Sequence, residues 1–142
     1  MSGTGVVVIV AALVLTGVAA WWLRARSGAV REVGVTMSPV FARLGVRPGE
    51  ADLTVVQFST AFCGPCRATK ARLAQLQATR PGLAVVQVDA ESHLDEVREL
   101  DVRRTPTLFY LGRDGRLIGR SSGAPRPDEL TALVDAHVGV GL

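Results

Sequence analysis

Two cysteines separated by two residues are the side chains in this chain best suited to chemistry. They are Cys63 and Cys66, the only cysteines among 142 residues. A short, β-branched segment at residues 53–58 (LTVVQF) precedes them and predicts a buried strand. Gly64 and Pro65 lie between the cysteines, and Pro65 falls where helices accept proline, near the first turn of a helix predicted from Cys66 to about residue 79.

The start of a helix favours thiolate chemistry, because its unpaired N–H groups and its dipole stabilise negative charge. We therefore expect the pKa of Cys63 to fall below the ordinary thiol value of about 8.5. Cys66 lies one turn further on, close enough to form a disulfide with Cys63. We expect Cys63 to be the more exposed and nucleophilic thiol, and Cys66 to be the more buried thiol that attacks the mixed disulfide.

A zinc site or a purely structural disulfide are the alternatives for these cysteines. Zinc needs two further ligands, and the candidates are His93 and His137, which lie 44 positions apart. We therefore expect no metal and no other cofactor. A disulfide that closes so short a loop would stabilise the fold only weakly.

The dipeptide Thr105-Pro106 is the second chemical feature. Pro106 directly precedes a predicted strand, although proline cannot donate a hydrogen bond to a sheet. A cis bond here would turn the main chain of Thr105 towards the cysteines, where it could pair with an extended substrate. An ordinary trans proline that starts a strand is the alternative.

From residue 50 the sequence alternates strand and helix signals in the order β-α-β-α-β-β-α. A helix joins the first two strands, so we expect them to be parallel, and the turn at residues 112–115 makes the last two an antiparallel hairpin. Ser92 is the expected N-cap of the second helix, and the last helix starts near Pro127. The pattern predicts an α/β fold with a central mixed sheet flanked by helices.

Three segments together resemble the thioredoxin family over about residues 50–140. They are residues 62–67 (FCGPCR), 102–108 (VRRTPTL) and 112–115 (GRDG). The resemblance implies a thioredoxin-like fold, Cys63 as attacking thiol, Cys66 as resolving thiol and Pro106 as a cis proline. It also implies exchange with protein dithiol or disulfide substrates and an upstream reductase or thiol donor. The motif and substrate-contacting residues would be Phe62, Gly64, Pro65, Thr105 and Pro106.

Three positions depart from that family. Phe62 replaces the usual tryptophan, and Gln57, six positions before Cys63, replaces a buried aspartate. Val85 stands where a lysine is common on the next strand. Gln57 is therefore the candidate proton-relay position, but its amide cannot act as a base, and deprotonation of Cys66 would rely on water or another group.

The first 23 residues carry no charged side chain. As a helix, residues 3–23 would cover about 30 Å, the thickness of the hydrocarbon core. Trp21 and Trp22 end the apolar run at headgroup level, and Arg24 and Arg26 follow at once. We expect an uncleaved transmembrane helix that contacts the membrane through residues 4–23. A buried core helix is one alternative, and a signal peptide cleaved near Val18-Ala19-Ala20 is another.

Charge and composition bear on organisation and partners. Residues 24–49 hold five arginines and one glutamate, so the basic character lies in one short stretch and does not indicate nucleic-acid binding. A hydrophobic content of 48% excludes a disordered chain. We predict an anchor at residues 1–26, a basic linker of weak structure at 27–49 and a thioredoxin-like domain at 50–142. A short helix from Ser38-Pro39 is expected within the linker.

The sequence thus predicts a monomeric, single-pass protein of the cell membrane that reduces protein disulfides. Arginines on the C-terminal side of the anchor favour a cytoplasmic domain by the positive-inside rule. The alternatives are a non-catalytic binding module with the same fold, and a disulfide oxidant or cytochrome-maturation type reductase outside the cytoplasm.

Overall fold

The computed structural model describes residues 3–26, 30–35 and 38–139. The helices are α1 (Gly3–Arg26), α2 (Pro39–Arg43), α3 (Gly64–Thr79), α4 (Leu94–Glu99) and α5 (Pro127–His137). The strands are β1 (Val30–Val35), β2 (Leu53–Ser59), β3 (Leu83–Asp89), β4 (Thr107–Gly112) and β5 (Leu117–Ser122). A single 3₁₀ turn, Ala90–Ser92, follows β3.

The five strands form one mixed sheet in the order β1-β5-β4-β2-β3. β2 and β3 are parallel, as predicted for two strands joined by a helix. The β4–β5 hairpin is antiparallel, and β4 also runs antiparallel to β2. The predicted α/β fold with a central mixed sheet is confirmed.

Side chains from the two faces of the sheet pack into two separate hydrophobic clusters. On one face, Phe58 and Phe109 pack with Val40 and Phe41 of α2, and Val97 of α4 lies against them. On the other face, the sheet packs against α3 and α5 through the buried residues Leu53, Val55, Leu73, Leu76, Leu108, Tyr110, Leu130 and Val134. Helices therefore cover both faces, because the central strands β2 and β4 carry buried apolar residues on both faces of the sheet.

The prediction of weak structure over residues 27–49 needs correction. β1 pairs antiparallel with β5, so it forms one edge of the sheet. α2 starts after Ser38 with a proline in its first turn, as expected, but its Val40 and Phe41 are fully buried in the core. The short apolar segments in this stretch gain stability from long-range pairing and burial, which local sequence does not reveal. Where separable units begin and end stays a prediction.

Two helix starts differ from the sequence expectation. α3 begins at Gly64, two residues before Cys66, because the Cys63 sulfur accepts the Cys66 N–H and so caps the first turn. Ser92 is not the N-cap of α4. It closes the 3₁₀ turn, in which the Asp89 carboxylate accepts from Glu91 N–H and the Ser92 hydroxyl, and α4 starts only at Leu94.

The N-terminal helix α1 has the length and composition of a membrane span. Its apolar part, residues 3–25, has a mean hydropathy of 2.5, and none of that window is buried within the protein. A signal sequence near the N-terminus has the same characteristics. A core helix is largely buried, so the buried-core alternative does not describe α1.

Candidate active site

Strand β2 and helix α3 position the two cysteines. β2 ends at Ser59, a short loop follows, and α3 begins directly after Cys63. Cys63 and Cys66 form a disulfide with their Cα atoms 5.2 Å apart. The main-chain N–H of Cys66 donates to the Cys63 sulfur at 3.1 Å. The first sulfur thus lies at the positive end of the helix, where a thiolate formed on reduction would be stabilised.

The two sulfur-bearing residues differ in exposure. Cys63 is 8% exposed and Cys66 is 3% exposed, which is the expected order. The neighbouring Phe62 is 96% exposed, an extreme value for a large apolar side chain. A soluble surface gains nothing from such a ring, so Phe62 suits contact with another apolar surface.

Thr105 and Pro106 lie at the same end of the sheet as the cysteines. β4 is antiparallel to β2, and its first residue, Thr107, is paired with Phe58 near the end of β2. The Thr105–Pro106 peptide bond is cis, as the resemblance implied. Pro106 is buried, and its carbonyl accepts from Gly123 N–H at 2.8 Å.

The main chain of Thr105 differs from its neighbours in hydrogen bonding. The Arg104 carbonyl accepts from the Thr107 hydroxyl at 2.6 Å, so the residues on both sides of Thr105 are engaged. Within the described part of the chain, nothing hydrogen-bonds to the amide or carbonyl of half-buried Thr105. An extended peptide could therefore pair with it without displacing an internal contact.

Gln57 lies beneath the cysteines and is fully buried. Its Nε2 donates to the main-chain carbonyl of Cys66 at 3.0 Å. Its Oε1 accepts from Nε2 of Gln87 at 3.1 Å. A carbonyl can only accept, so the Gln57 nitrogen must face Cys66 and its oxygen must face Gln87. The structure places a neutral amide at the candidate proton-relay position, with both ends hydrogen-bonded.

Gln87 is the site residue that the sequence analysis missed. The expectation that Val85 takes the position of the usual lysine was wrong, because Val85 is paired with Val55 and the residue beside Gln57 on the next strand is Gln87. A signal was present, because Val55-Val56-Gln57 and Val85-Val86-Gln87 repeat the same tripeptide. Once two such strands are parallel and in register, the glutamines must meet.

Beside the amide pair, a pocket of about 360 Å³ opens at the ends of β2 and β3. Its lining includes Ser59, Thr60, Lys70, Gln87 and Asp89. Gln87 is exposed, so solvent reaches the outer end of the pair while Gln57 is sealed from it.

Charged side chains near the site are mostly paired or exposed. Arg67 and Lys70 are exposed on α3, a helix with no acidic residue in its first turn. Arg103, two residues before Thr105, donates to Asp101 at 2.8 Å, and this hydrogen bond lowers the pKa of the Asp101 carboxyl.

The two histidines considered as metal ligands have local partners. A ring nitrogen of His93 is 2.9 Å from the carbonyl of Asp89, and a ring nitrogen of His137 is 2.9 Å from that of Leu133. Each contact is made four residues back along the chain, as an exposed structural histidine would make it.

Comparison with known proteins identifies similarity to thioredoxins. Residues 45–136 match the family model described as Thioredoxin. The chain is similar to thioredoxin H4-1 of rice (Oryza sativa subsp. japonica), with 30% identity over 61% of this chain and 68% of that protein. It is also similar to the mitochondrial thioredoxin-3 of Saccharomyces cerevisiae, with 37% identity over 51% of this chain and 57% of that protein.

A solved structure supports the same likeness. The crystal structure of mitochondrial thioredoxin 3 from Saccharomyces cerevisiae in its oxidized form superposes with a TM-score of 0.57 and 28% sequence identity. The superposition covers 72% of this chain and 94% of that chain. The residues matched by the family model, 45–136, do not include the apolar helix α1.

Proposed function

Because the chain belongs to the thioredoxin family, and is on that ground a thiol–disulfide oxidoreductase, we propose that it is a membrane-anchored reductase of protein disulfides. The reacting groups are Cys63 and Cys66. The observation that carries the proposal is the disulfide between them at the start of α3, with the Cys63 sulfur bonded to a helix N–H.

The reaction transfers two electrons from the cysteine pair to the substrate. The reduced Cys63 thiolate attacks one sulfur of a substrate disulfide, and the substrate S–S bond breaks to release a first thiolate, which takes a proton. Cys66 then loses its proton and attacks the Cys63 sulfur. The mixed disulfide breaks, the second substrate thiol leaves, and Cys63–Cys66 is oxidised. An upstream thiol donor must reduce it again.

Exposure supports this order of attack. Cys63 is the more exposed of the two cysteines, and Phe62 presents an apolar ring beside it. An incoming protein can cover Phe62 and pair its extended chain with the Thr105 main chain. Pro106 is already engaged through its carbonyl, so Thr105 is the position left for that pairing.

The residues between the cysteines favour reduction over oxidation. By the resemblance described above, Gly64 and Pro65 are the residues that reducing thioredoxins carry between their two cysteines. Thioredoxin has a potential of about −270 mV, against about −120 mV for a strong disulfide donor. We propose a value near the first.

Helix α1 supports the anchor. Its 24 residues extend about 36 Å, enough to cross a hydrocarbon core of about 30 Å with some tilt. Arg24 follows Trp21 and Trp22, so the charged end of the helix is its C-terminal end, which leads into the catalytic domain. By the positive-inside rule, we infer that the catalytic domain faces the cytoplasm.

Gln57 favours a second candidate, a binding module with the same fold. Without a carboxylate beneath it, Cys66 lacks the nearby base that would speed turnover, and such a protein could hold partners without reducing them. The retention of two thiols at disulfide distance argues for catalysis instead.

Insulin reduction by the full chain in detergent micelles separates the two candidates. The reductase proposal predicts turnover that Cys63→Ser abolishes, because no attacking thiol remains. The matched variant Cys66→Ser should also stop turnover but should accumulate a covalent complex with the substrate, visible by non-reducing mass spectrometry. Partner capture that survives Cys63→Ser, with no turnover by the parent chain, would establish the binding module instead.

A further inference from the structure

The pair of amides formed by Gln57 and Gln87 has a fixed direction and a defined end point. Gln87 donates to Gln57, and Gln57 donates to the carbonyl of Cys66. These two hydrogen bonds therefore connect an exposed residue of β3 to the main chain of one redox-active cysteine. None of the three segments that resemble the family includes Gln87, and its contact with Gln57 spans 30 positions of sequence.

We propose that Gln87 is a positioning residue for the resolving thiol, acting through Gln57 on the main chain of Cys66. This inference rests on the proposed reductase function. In the oxidised protein the disulfide itself fixes Cys66. During exchange that bond is absent, and the hydrogen bond from Gln57 continues to hold the Cys66 carbonyl. The Cys66 sulfur then stays aimed at the mixed disulfide on Cys63.

The amide pair provides geometry and does not transfer protons. A neutral amide is neither a base nor an acid near neutral pH, so the proton of Cys66 leaves to water or to another group. The role of Gln87 is to donate a hydrogen bond to the side-chain oxygen of Gln57. If Gln87 could not donate, the fully buried Gln57 would hold an unpaired acceptor and would turn away from Cys66 to satisfy it.

A two-phase assay measures attack and resolution separately. The reduced full chain in detergent is mixed with dithiobisnitrobenzoate, an aromatic disulfide that releases a coloured thiolate. Attack by Cys63 releases the first coloured thiolate and leaves a mixed disulfide. Attack by Cys66 releases the second and forms Cys63–Cys66. The first phase therefore reports the Cys63 thiolate, and the second reports the position of Cys66.

Gln87→Leu removes the donor on an exposed side chain and should leave the fold intact. We expect it to slow the second phase about tenfold, since small displacements of reacting groups cost one to two orders of magnitude in rate. The first phase should stay within about twofold of the parent, because Cys63 is capped by Cys66 N–H and not by the amides. Gln75→Leu makes the same chemical change on the exposed face of α3 and should alter neither phase.

Gln87→Glu adds a test that a general loss of packing would not produce. A protonated glutamate can still donate to Gln57, whereas the carboxylate cannot. The second-phase rate of this variant, divided by the parent rate at the same pH, should approach one near pH 4 and fall towards the Gln87→Leu ratio near pH 7 as the carboxyl ionises through its ordinary pKa of about 4.3 or above. A ratio that does not change with pH contradicts the proposal.

The double variant Gln57→Leu/Gln87→Leu tests whether Gln87 acts through Gln57. Replacing both hydrogen-bonding partners by apolar groups is tolerated in buried sites, so this chain should fold. The second phase of the double variant should be as slow as that of Gln57→Leu alone, because loss of Gln87 has no further effect once Gln57 is absent. Independent, multiplicative effects would overturn the proposal while leaving the reductase function intact. Release of only one coloured thiolate by the parent chain would overturn the reductase function itself.

Discussion

Tyr110 and Ser121 are single residues whose contact links ionisation to stability. Both are fully buried, and their hydroxyl oxygens are 2.8 Å apart across the β4–β5 hairpin. Burial raises the pKa of Tyr110 well above the ordinary phenol value of 10.0, and the hydrogen bond to Ser121 opposes this shift only in part. The folded protein therefore holds the neutral phenol more strongly than the unfolded chain does.

The sign of the pH effect follows from the raised pKa of Tyr110. Its contribution to stability is fully present below pH 10.0, the unfolded value, and is lost as the pH rises towards the folded pKa. We expect the free energy of unfolding, measured with denaturant in detergent, to decline above pH 10.0 more steeply for the parent than for Tyr110→Phe. Equal slopes for the two chains would contradict this assignment.

Near neutral pH, Tyr110→Phe should reduce stability by about 1–3 kcal/mol, because it leaves the buried Ser121 hydroxyl without its partner. The double variant Tyr110→Phe/Ser121→Ala is the control. It removes both hydroxyls and should recover part of the loss, as denaturant midpoints would show.

The residues of the site differ in how far sequence predicts them. Cys63 and Cys66 form a local pattern whose chemistry follows from spacing and residue type, whereas the cis form of Pro106 was expected from the resemblance to thioredoxins. Gln57 was identified because the resemblance to thioredoxins places a buried aspartate six positions before the first cysteine. Gln87 was not, because its role exists only through the register of two strands that lie 30 positions apart.

Among the elements, the edge strand β1 is the least predictable from sequence. Residues 30–35 (VREVGV) mix charges, a glycine and valines, and show no clean alternation. Their pairing partner β5 is more than 80 positions away, so only the finished sheet reveals the strand. The central strands β2 and β4 were predictable because apolar residues on both faces form continuous runs.

Proline variants in β1 test whether this strand protects β5. Arg31 and Glu32 are paired with Arg120 and Gly119, and neighbouring residues of a strand point their N–H groups in opposite directions. One of the variants Arg31→Pro and Glu32→Pro should therefore lose a bond to β5, while the other loses only a solvent-facing N–H and serves as the matched control. We expect hydrogen exchange in residues 117–122 to accelerate about tenfold in the first variant, with residues 83–89 at the other edge unchanged. Unchanged exchange in both variants would show that β1 does not cover β5.

For the whole molecule, the proposed anchor determines where the site works. Trp21 and Trp22 are the only tryptophans in the chain, and both are exposed on α1. In vesicles whose lipids carry bromine on the acyl chains, we expect strong quenching of tryptophan emission in the intact chain. Emission that is not quenched would contradict the anchor. Loss of residues 1–20 from the chain recovered from cells would identify a cleaved signal peptide instead.

The organisation of the molecule was predictable in part. The apolar run of α1 and the β-α-β order were read from hydrophobic pattern alone. The inclusion of β1 and α2 in the packed structure was not, because it depends on contacts of Val40 and Phe41 with the sheet and on pairing with β5.

The reduction potential of the Cys63–Cys66 pair tests the central proposal most directly. The full chain in detergent is equilibrated against glutathione or dithiothreitol buffers, and the dithiol fraction is read by thiol trapping and mass. We predict a reduction potential of about −270 mV, as expected for a reductase. Its substrates would then lie on the side of the membrane where the catalytic domain is exposed. A value above about −170 mV would identify a disulfide donor, contradict the reductase proposal and favour an extracytoplasmic domain.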